Sequence, residues 1–217
     1  MNSAADMSDD ARLLARLQGG DRAALGEAFD RHRERLWRMI RFRMDRRLAS
    51  RIDPDDVLQE AYVAAAARLP HYLANPEMSP FLWLRLIVGQ TMIDIHRRHV
   101  GAKMRDAGRE QSARARYPDA TSVSLAAELA GSATGPSTGA MRAEVSEQLQ
   151  QAIAAMSELD QEIIALRHFE DLTNAETAEA LGLQPTAASN RYVRAIARLR
   201  DILAATPGFT SDSPNNG

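Results

Sequence analysis

The chain contains no cysteine. Disulfides, thiolate zinc sites and cysteine nucleophiles are thereby excluded, and the absence fits a reducing interior. No apolar run approaches the roughly 18 residues that cross a bilayer. The acidic start, "MNSAADMSDDARLLARLQGG", has no apolar signal-peptide core. A cytoplasmic protein without membrane insertion is expected. Strand signals are nearly missing as well, since no clean period-2 alternation is bounded by hairpin turns. Neither a Walker motif nor a dinucleotide-binding glycine motif is present, and no internal repeat is evident. The pair His96-x-x-His99 has helical ligand spacing, yet Arg97 and Arg98 lie between the two histidines and would repel a cation. No clear third ligand follows, and His32, His71 and His168 are scattered. No catalytic residue, metal or cofactor is assigned, and an enzyme is not expected.

A net basic excess is lacking too, because the formal charge is −2. That total hides segregation. From Arg31 to Arg51 nine arginines stand against Glu34 and Asp45, from Asp53 to Glu60 there are four acids and no base, and from Thr186 to Arg200 there are four arginines and no acid. Surfaces of opposite sign suit partners of opposite sign, although solvated helix faces could carry the same charges. Helical periodicity dominates the rest. One helical block spans residues 11–100 and a second spans 141–205. Residues 101–140 read as a linker rich in Ser, Thr, Gly, Ala and Pro, with a short helix possible over Ser124 to Leu129. Residues 206–217 read as a disordered tail. The fold class expected is all-α, two small helical domains on a flexible connection.

The second block marks its helix starts clearly. Ser157-x-x-Asp160 and Thr173-x-x-Glu176 are both capping-box patterns, in which a hydroxyl accepts from an N-terminal amide while a carboxylate reaches back. Leu159, Ile163, Leu166 and Phe169 share one face, and Ala178 and Leu181 point inward. Gly182, the only glycine between Gly139 and Gly208, then suits a left-handed helix C-terminus. Gln184 flanks the next helix, and Pro185 fits a first turn where no intrahelical amide is needed. That helix runs to about Leu203, with Ala188, Tyr192, Ile196 and Leu199 as its buried stripe. Helix, glycine turn, helix is a helix-turn-helix, whose second helix places its start in a major groove. Asn190 could pair with adenine, and Arg191 with guanine or a phosphate; Arg194 and Arg198 suit backbone phosphate. A plain helical bundle with solubilising arginines would share several of these features.

In the first block Asp53 is expected as N-cap and Pro54 as first helical residue. Val57, Ala61, Ala64 and Ala65 can face a core, which leaves Asp56, Gln59, Glu60 and Val63 along another stripe. That stripe suits a basic protein partner; acids at Asp55 and Asp56 would also arise simply from favouring the helix dipole. "SPFLWLRLIVGQTMIDIHRRH" opens in the same way, on Ser79 and Pro80. Phe81, Leu84, Val88 and Ile95 form its apolar face, and Arg85, Gln90, Asp94, Arg97 and Arg98 lie largely off it. Phe81 and Trp83 read as core more readily than as base-stacking residues.

"DPDDVLQEAYVAAAARL", "FLWLRLIVGQTMIDIHRRH", "SELDQEIIALRHFEDLTNAETAEALG" and "SNRYVRAIARLR" stand in the order and spacing of one family. From about Leu25 to Leu203 the chain resembles the extracytoplasmic-function (ECF) sigma factors of bacterial RNA polymerase. The resemblance implies a promoter-specificity subunit that performs no bond chemistry. Its partners would be core RNA polymerase (β′ clamp and β flap), promoter DNA and an anti-sigma factor. It implies that Asp53, Asp56, Gln59 and Glu60 dock on the β′ clamp. It makes Trp83, Arg85, Gln90, Asp94, Arg97 and Arg98 candidates for the minus-ten element, with structural roles open for Trp83 and Asp94. The "HYLANPEMS" loop corresponds to the family's site for an unstacked promoter base, which needs a pocket to offset the cost of extrusion. Pro185, Thr186, Ala187, Ser189, Asn190, Arg191, Arg194 and Arg198 are implied at the minus-thirty-five element. Two positions depart from the family pattern: Gly89 sits where a base is frequent, and Ser189 where a lysine is. The connection from Gly101 to Ala140 is long for the family, and its basic "GAKMRDAGREQSARARY" could follow a template strand or an RNA channel, or be a solvated tether. The rival function is a stand-alone helix-turn-helix regulator that binds an operator without polymerase.

Overall fold

The computed structural model describes residues 3–44, 48, 51–100, 125, 126, 129 and 139–206. The basic segment after Gly101 and the tail beyond Thr206 lie outside the described residues. The chain divides into two compact units, Met1–Ala115 and Arg116–Gly217. All regular structure among the described residues is helical. Within the expected linker, Leu125, Ala126 and Leu129 are helical and buried.

The first unit holds α1 (Ser3–Gln18), α2 (Ala23–Arg43), α3 (Pro54–Ala74) and α4 (Pro80–Val100). Helices α2, α3 and α4 pack on one another, and α1 lies against α2 and α4. Their core holds Leu25, Leu36 and Ile40 from α2 together with residues that periodicity selects on the next two helices: Val57, Ala61 and Ala65 on α3, and Phe81, Leu84, Val88 and Ile95 on α4; Ala64, also expected there, is only half-buried. Small residues on α3 let its neighbours approach closely, so Ala61 and Ala65 are completely covered. Helix α1 begins well before the expected start at residue 11. It buries Leu13 and Leu17, and its acids engage α2: Asp9 pairs with Arg31 at 2.9 Å, and Asp10 lies 3.0 Å from the buried His32 ring. At the α1–α2 corner Arg16 binds Glu27 and Asp21. Hydrogen bonding to those two carboxylates raises the Arg16 pKa, and the same bonds from Arg16 hold both carboxylates below their usual range.

The α3 N-terminus forms as expected, with Asp53 accepting from the Asp55 amide at 2.9 Å and Pro54 in the first turn. Ser79 likewise accepts from the Leu82 amide before α4. Gly89 is an ordinary helical residue. A Cβ there would sit 3.5 Å from Met39 Cε, a normal contact, so nothing steric demands glycine. Gly89→Ala is therefore expected to stabilise the first unit by about 0.5–1 kcal/mol, through lower unfolded-state entropy and better helix propensity. A denaturant melt that moves to higher midpoint at unchanged slope would show it.

The second unit holds α5 (Gly139–Ala154), α6 (Glu158–Ile164), α7 (Asn174–Ala180) and α8 (Pro185–Ala204). Helix α8 packs on α5, α6 and α7. Buried there are Leu149 and Ile153 from α5, Ile163 and Ile164 from α6, and Ala188, Ala195, Leu199 and Leu203 from α8. Tyr192 and Ile196, expected in the buried stripe of α8, are only half-buried, and Ala195 closes the contact between them. The last turn of α6 widens into a π turn over Ala165–Phe169, closed by the Glu170 amide on the Ala165 carbonyl at 3.0 Å. The wider turn still buries Leu166 and Phe169, and its His168 ring nitrogen lies 2.7 Å from the Tyr192 hydroxyl of α8.

Candidate protein and nucleic-acid interfaces

On α3, Asp56, Gln59, Glu60 and Val63 are all exposed, in the order that helical spacing requires. Val63 is 68% exposed, a large apolar side chain left bare at the end of an acidic stripe. Asp53 stands apart from the others because its carboxylate already caps the helix. Glu60 is also engaged: Arg98 of α4 forms an ion pair with it. Two candidates for different partners therefore meet at the α3–α4 contact. Both are exposed, so solvent and salt screen that pair. Asp56 has no side-chain partner among the described residues.

Beside the stripe lies a shallow groove of about 180 Å³ between α2 and α3. Phe29, Leu58 and Tyr62 give it an apolar floor, with Tyr62 edge-on to Phe29 at 5.2 Å, and Arg33 pairs with Asp55 across it at 2.8 Å. Sequence reasoning missed this groove. Its walls come from residues more than twenty positions apart, and Tyr62 lies between the two stripes assigned to α3.

On α4 the candidates separate. Trp83 is 7% exposed and stacks on Tyr72, with ring centroids 4.3 Å apart and planes 11° from parallel. It is a core residue in this fold. Tyr72 is anchored in turn by its hydroxyl, which donates to the Met78 carbonyl at 2.8 Å. Gln90 donates to Asp94 at 3.3 Å within the helix, and both are half-buried. Arg85 is half-buried, while Arg97 and Arg98 are exposed near the C-terminus. The same helix exposes Leu86 and Ile93, seven residues apart and so on one face.

The expected "HYLANPEMS" loop is shorter than its sequence suggests. His71 to Ala74 complete α3, leaving Asn75 to Ser79 as the connection, in which the Asn75 amide donates to Glu77 at 2.8 Å. Pro70 does not end α3. Burial of Leu69 and Tyr72 on the core side carries the helix through the proline.

The helix-turn-helix forms as its residues require. Thr173 and Glu176 make a complete capping box: the Glu176 amide donates to the threonine hydroxyl at 3.2 Å, and the Thr173 amide donates to the Glu176 carboxylate at 2.8 Å. Gly182 has φ +63°, and the turn closes with the Gly182 amide on Glu179 O and the Leu183 amide on Ala178 O. That pair of bonds is a Schellman motif, with the left-handed residue at its required position. Asn174 then ties the two helices together by donating to the Pro185 carbonyl at 2.9 Å. Gly182→Ala meets no steric obstacle but must hold a left-handed φ. A loss of about 1 kcal/mol is expected for the second unit, measurable as a lower denaturation midpoint.

The other capping pattern forms only in half. The Asp160 amide donates to Ser157 Oγ at 3.3 Å, but the Asp160 carboxylate does not return to the N-cap. It is buried and accepts instead from two arginines of α8, from Arg191 Nε at 3.1 Å and from Arg198 Nη1 at 3.0 Å. Pro185, Thr186, Ala187, Ser189 and Asn190 are all exposed at the start of α8, and Arg194 is exposed one turn on, donating to the Asn190 carbonyl at 3.3 Å. Val193, 62% exposed, is the large apolar side chain on that surface. The arrangement offers a helix start and several guanidinium groups to an anionic partner. No described helix is long and apolar enough to cross a membrane.

Two family models match the chain, Sigma-70 region 2 over residues 28–101 and Sigma-70, region 4 over residues 146–199. The chain is 29% identical to the ECF RNA polymerase sigma factor SigD of Mycobacterium tuberculosis over 198 residues, covering 91% of this chain and 85% of that one. It is 29% identical to the RNA polymerase sigma factor NccH of Alcaligenes xylosoxydans xylosoxydans over 208 residues, covering 93% of this chain and 98% of the other. A solved structure of CnrH, in complex with the cytosolic domain of CnrY, is similar with a TM-score of 0.50 at 23% identity, covering 90% of this chain and 97% of that chain.

Proposed function

Because the chain belongs to the sigma-70 family, in its extracytoplasmic-function group, it is a sigma factor directing transcription initiation, and we propose how its surfaces divide that work. The stripe of Asp56, Gln59 and Glu60 on α3 grips a basic element of core polymerase, the β′ clamp, with Asp53 fixing the start of that helix. The α4 surface bearing Arg85, Gln90, Asp94, Arg97 and Arg98 meets the minus-ten element. Trp83 supports that surface from beneath by packing on Tyr72. The start of α8, from Pro185 to Arg191, enters the major groove at the minus-thirty-five element, with Arg194 and Arg198 on phosphate. The β flap and an anti-sigma factor complete the partners of this reading, and the cytoplasm is its place.

One observation carries it: a single chain exposes an acidic helical stripe on one unit and, on the other, a helix-turn-helix whose second helix has four arginines and no acid from Thr186 to Arg200. A stand-alone operator-binding regulator would use the second surface and leave the first without a purpose. Function is then a difference of binding free energies, in which arginine–phosphate contacts supply salt-sensitive affinity and base contacts discriminate by about 1–3 kcal/mol each. Reconstituted transcription with core polymerase and a promoter library tests the whole reading, and absence of start-site selection on every template would refute it. Asn190→Ala combined with Arg191→Ala is expected to leave polymerase binding unchanged and to reduce promoter-specific initiation about 10- to 100-fold.

A further inference from the structure

The arginines of α8 are not equivalent. From sequence Arg191 suits guanine or a phosphate and Arg194 and Arg198 suit phosphate, but Asp160 groups Arg191 with Arg198. Its side chain is 9% exposed and accepts from Arg191 Nε and Arg198 Nη1, which lie seven residues apart on the same side of the helix. Arg194, between them in sequence, has its Nε on a backbone carbonyl of its own helix. Arg191 is one-third exposed and Arg198 about three-fifths, so each is held by a buried carboxylate while part of its side chain stays accessible. A guanidinium is planar and its donors form a rigid fork. Fixing Arg191 through Nε therefore sets the direction of its Nη1–Nη2 edge, an edge able to meet two acceptors at once.

We propose that Asp160 is a positioning residue for DNA recognition: it holds Arg191, with Arg198 beside it, in the orientation from which Arg191 reads a base edge. The proposal rests on the reading of α8 as the helix in the groove. Two physical consequences follow. An arginine ordered before binding loses less side-chain entropy on binding, which favours the one geometry it is set for. The carboxylate also offsets positive charge on a surface that meets phosphate, which lowers affinity for DNA of any sequence. Asp160 thus exchanges general affinity for discrimination. A purely structural carboxylate would set no recognition geometry; its loss would weaken every DNA complex alike.

The two cases separate in an experiment on the full chain bound to core polymerase. Wild type, Asp160→Asn, Arg191→Ala, Arg198→Ala and the Asp160→Asn/Arg191→Ala double variant each select from a duplex pool randomised across the minus-thirty-five position. Affinities are then measured for the wild-type-enriched duplex and for the unselected pool. Asp160→Asn is expected to flatten base preference where Arg191→Ala does, lowering the enriched-to-unselected affinity ratio about tenfold. Binding to the unselected pool stays the same or rises, and the double variant matches Arg191→Ala alone because the effect passes through that residue. A wild-type preference in Asp160→Asn, or equal weakening on both duplexes, overturns the proposal. If Arg191→Ala and Arg198→Ala also keep the wild-type preference, the reading of α8 itself has failed and the proposal falls with it. Asp160→Glu, which keeps the charge and displaces it, serves as the variant with the same expected flattening should Asp160→Asn not fold.

Discussion

Asp56→Lys is expected to weaken binding to core polymerase by about 3 kcal/mol, roughly a hundredfold in Kd, while the thermal melt of the free protein falls only slightly. The size follows from replacing an attraction to a basic surface by a repulsion at an interface that excludes water. The clean readout follows from the structure. Asp56 is exposed and carries no side-chain partner among the described residues, so its reversal breaks no side-chain contact and costs only its favourable place in the first turn of α3. Its neighbours are poorer probes. Asp53 caps α3, and its replacement removes a helix-capping bond worth about 1 kcal/mol as well as a charge. Glu60→Lys sets two cations against each other, because Arg98 already faces that position. A double Asp56→Lys, Glu60→Lys variant should abolish binding altogether, with a further small loss of stability from the second change. Unaltered affinity in the Asp56 variant, measured by competition for core polymerase, would remove α3 from the interface.

Leu199→Ala has the largest expected effect on stability, about 3 kcal/mol within a range of 2–5. Leu199 is completely buried on the inner side of α8, where that helix packs on its three neighbours. Truncation there loses the transfer free energy of the removed methylenes and leaves a cavity that rigid helices close only in part. A small helical unit has a stability of only several kcal/mol, so this change removes a large share of it. Chemical denaturation followed by circular dichroism should show the second unit unfolding at much lower denaturant. Promoter-directed transcription should be lost in proportion to the unfolded fraction. A variant with unshifted midpoint would mean that α8 is not seated as described.

Much of this molecule can be read from its residues in order, where the governing physics is local. The N-caps at Asp53, Ser79 and Thr173, the left-handed Gly182, the proline starts at Pro54 and Pro185, and the apolar faces of α3 and α4 depend on neighbours within a few positions. They form as read. Departures arise where a local preference competes with a distant partner. Ser157-x-x-Asp160 is a capping pattern, yet its carboxylate turns to two guanidinium groups more than thirty residues away, since in those bonds both partners are charged whereas a return bond would meet a neutral amide. Helix α3 continues past Pro70 because burying Leu69 and Tyr72 outweighs one missing hydrogen bond. Trp83 is core, as its aromatic side chain suggested, and Tyr72, brought close by that same extension, supplies the ring it stacks on.

By itself, then, the order of residues determined the helical class, the division into two charged surfaces and the helix-turn-helix, because caps, periodicity and charge runs act over one or two turns. The groove beside α3, the pairing of Glu60 with Arg98, and the unequal standing of the α8 arginines were decided only by the tertiary structure. Each depends on which side chains from separate helices come within a few ångströms of one another, and nothing in a linear pattern encodes that distance.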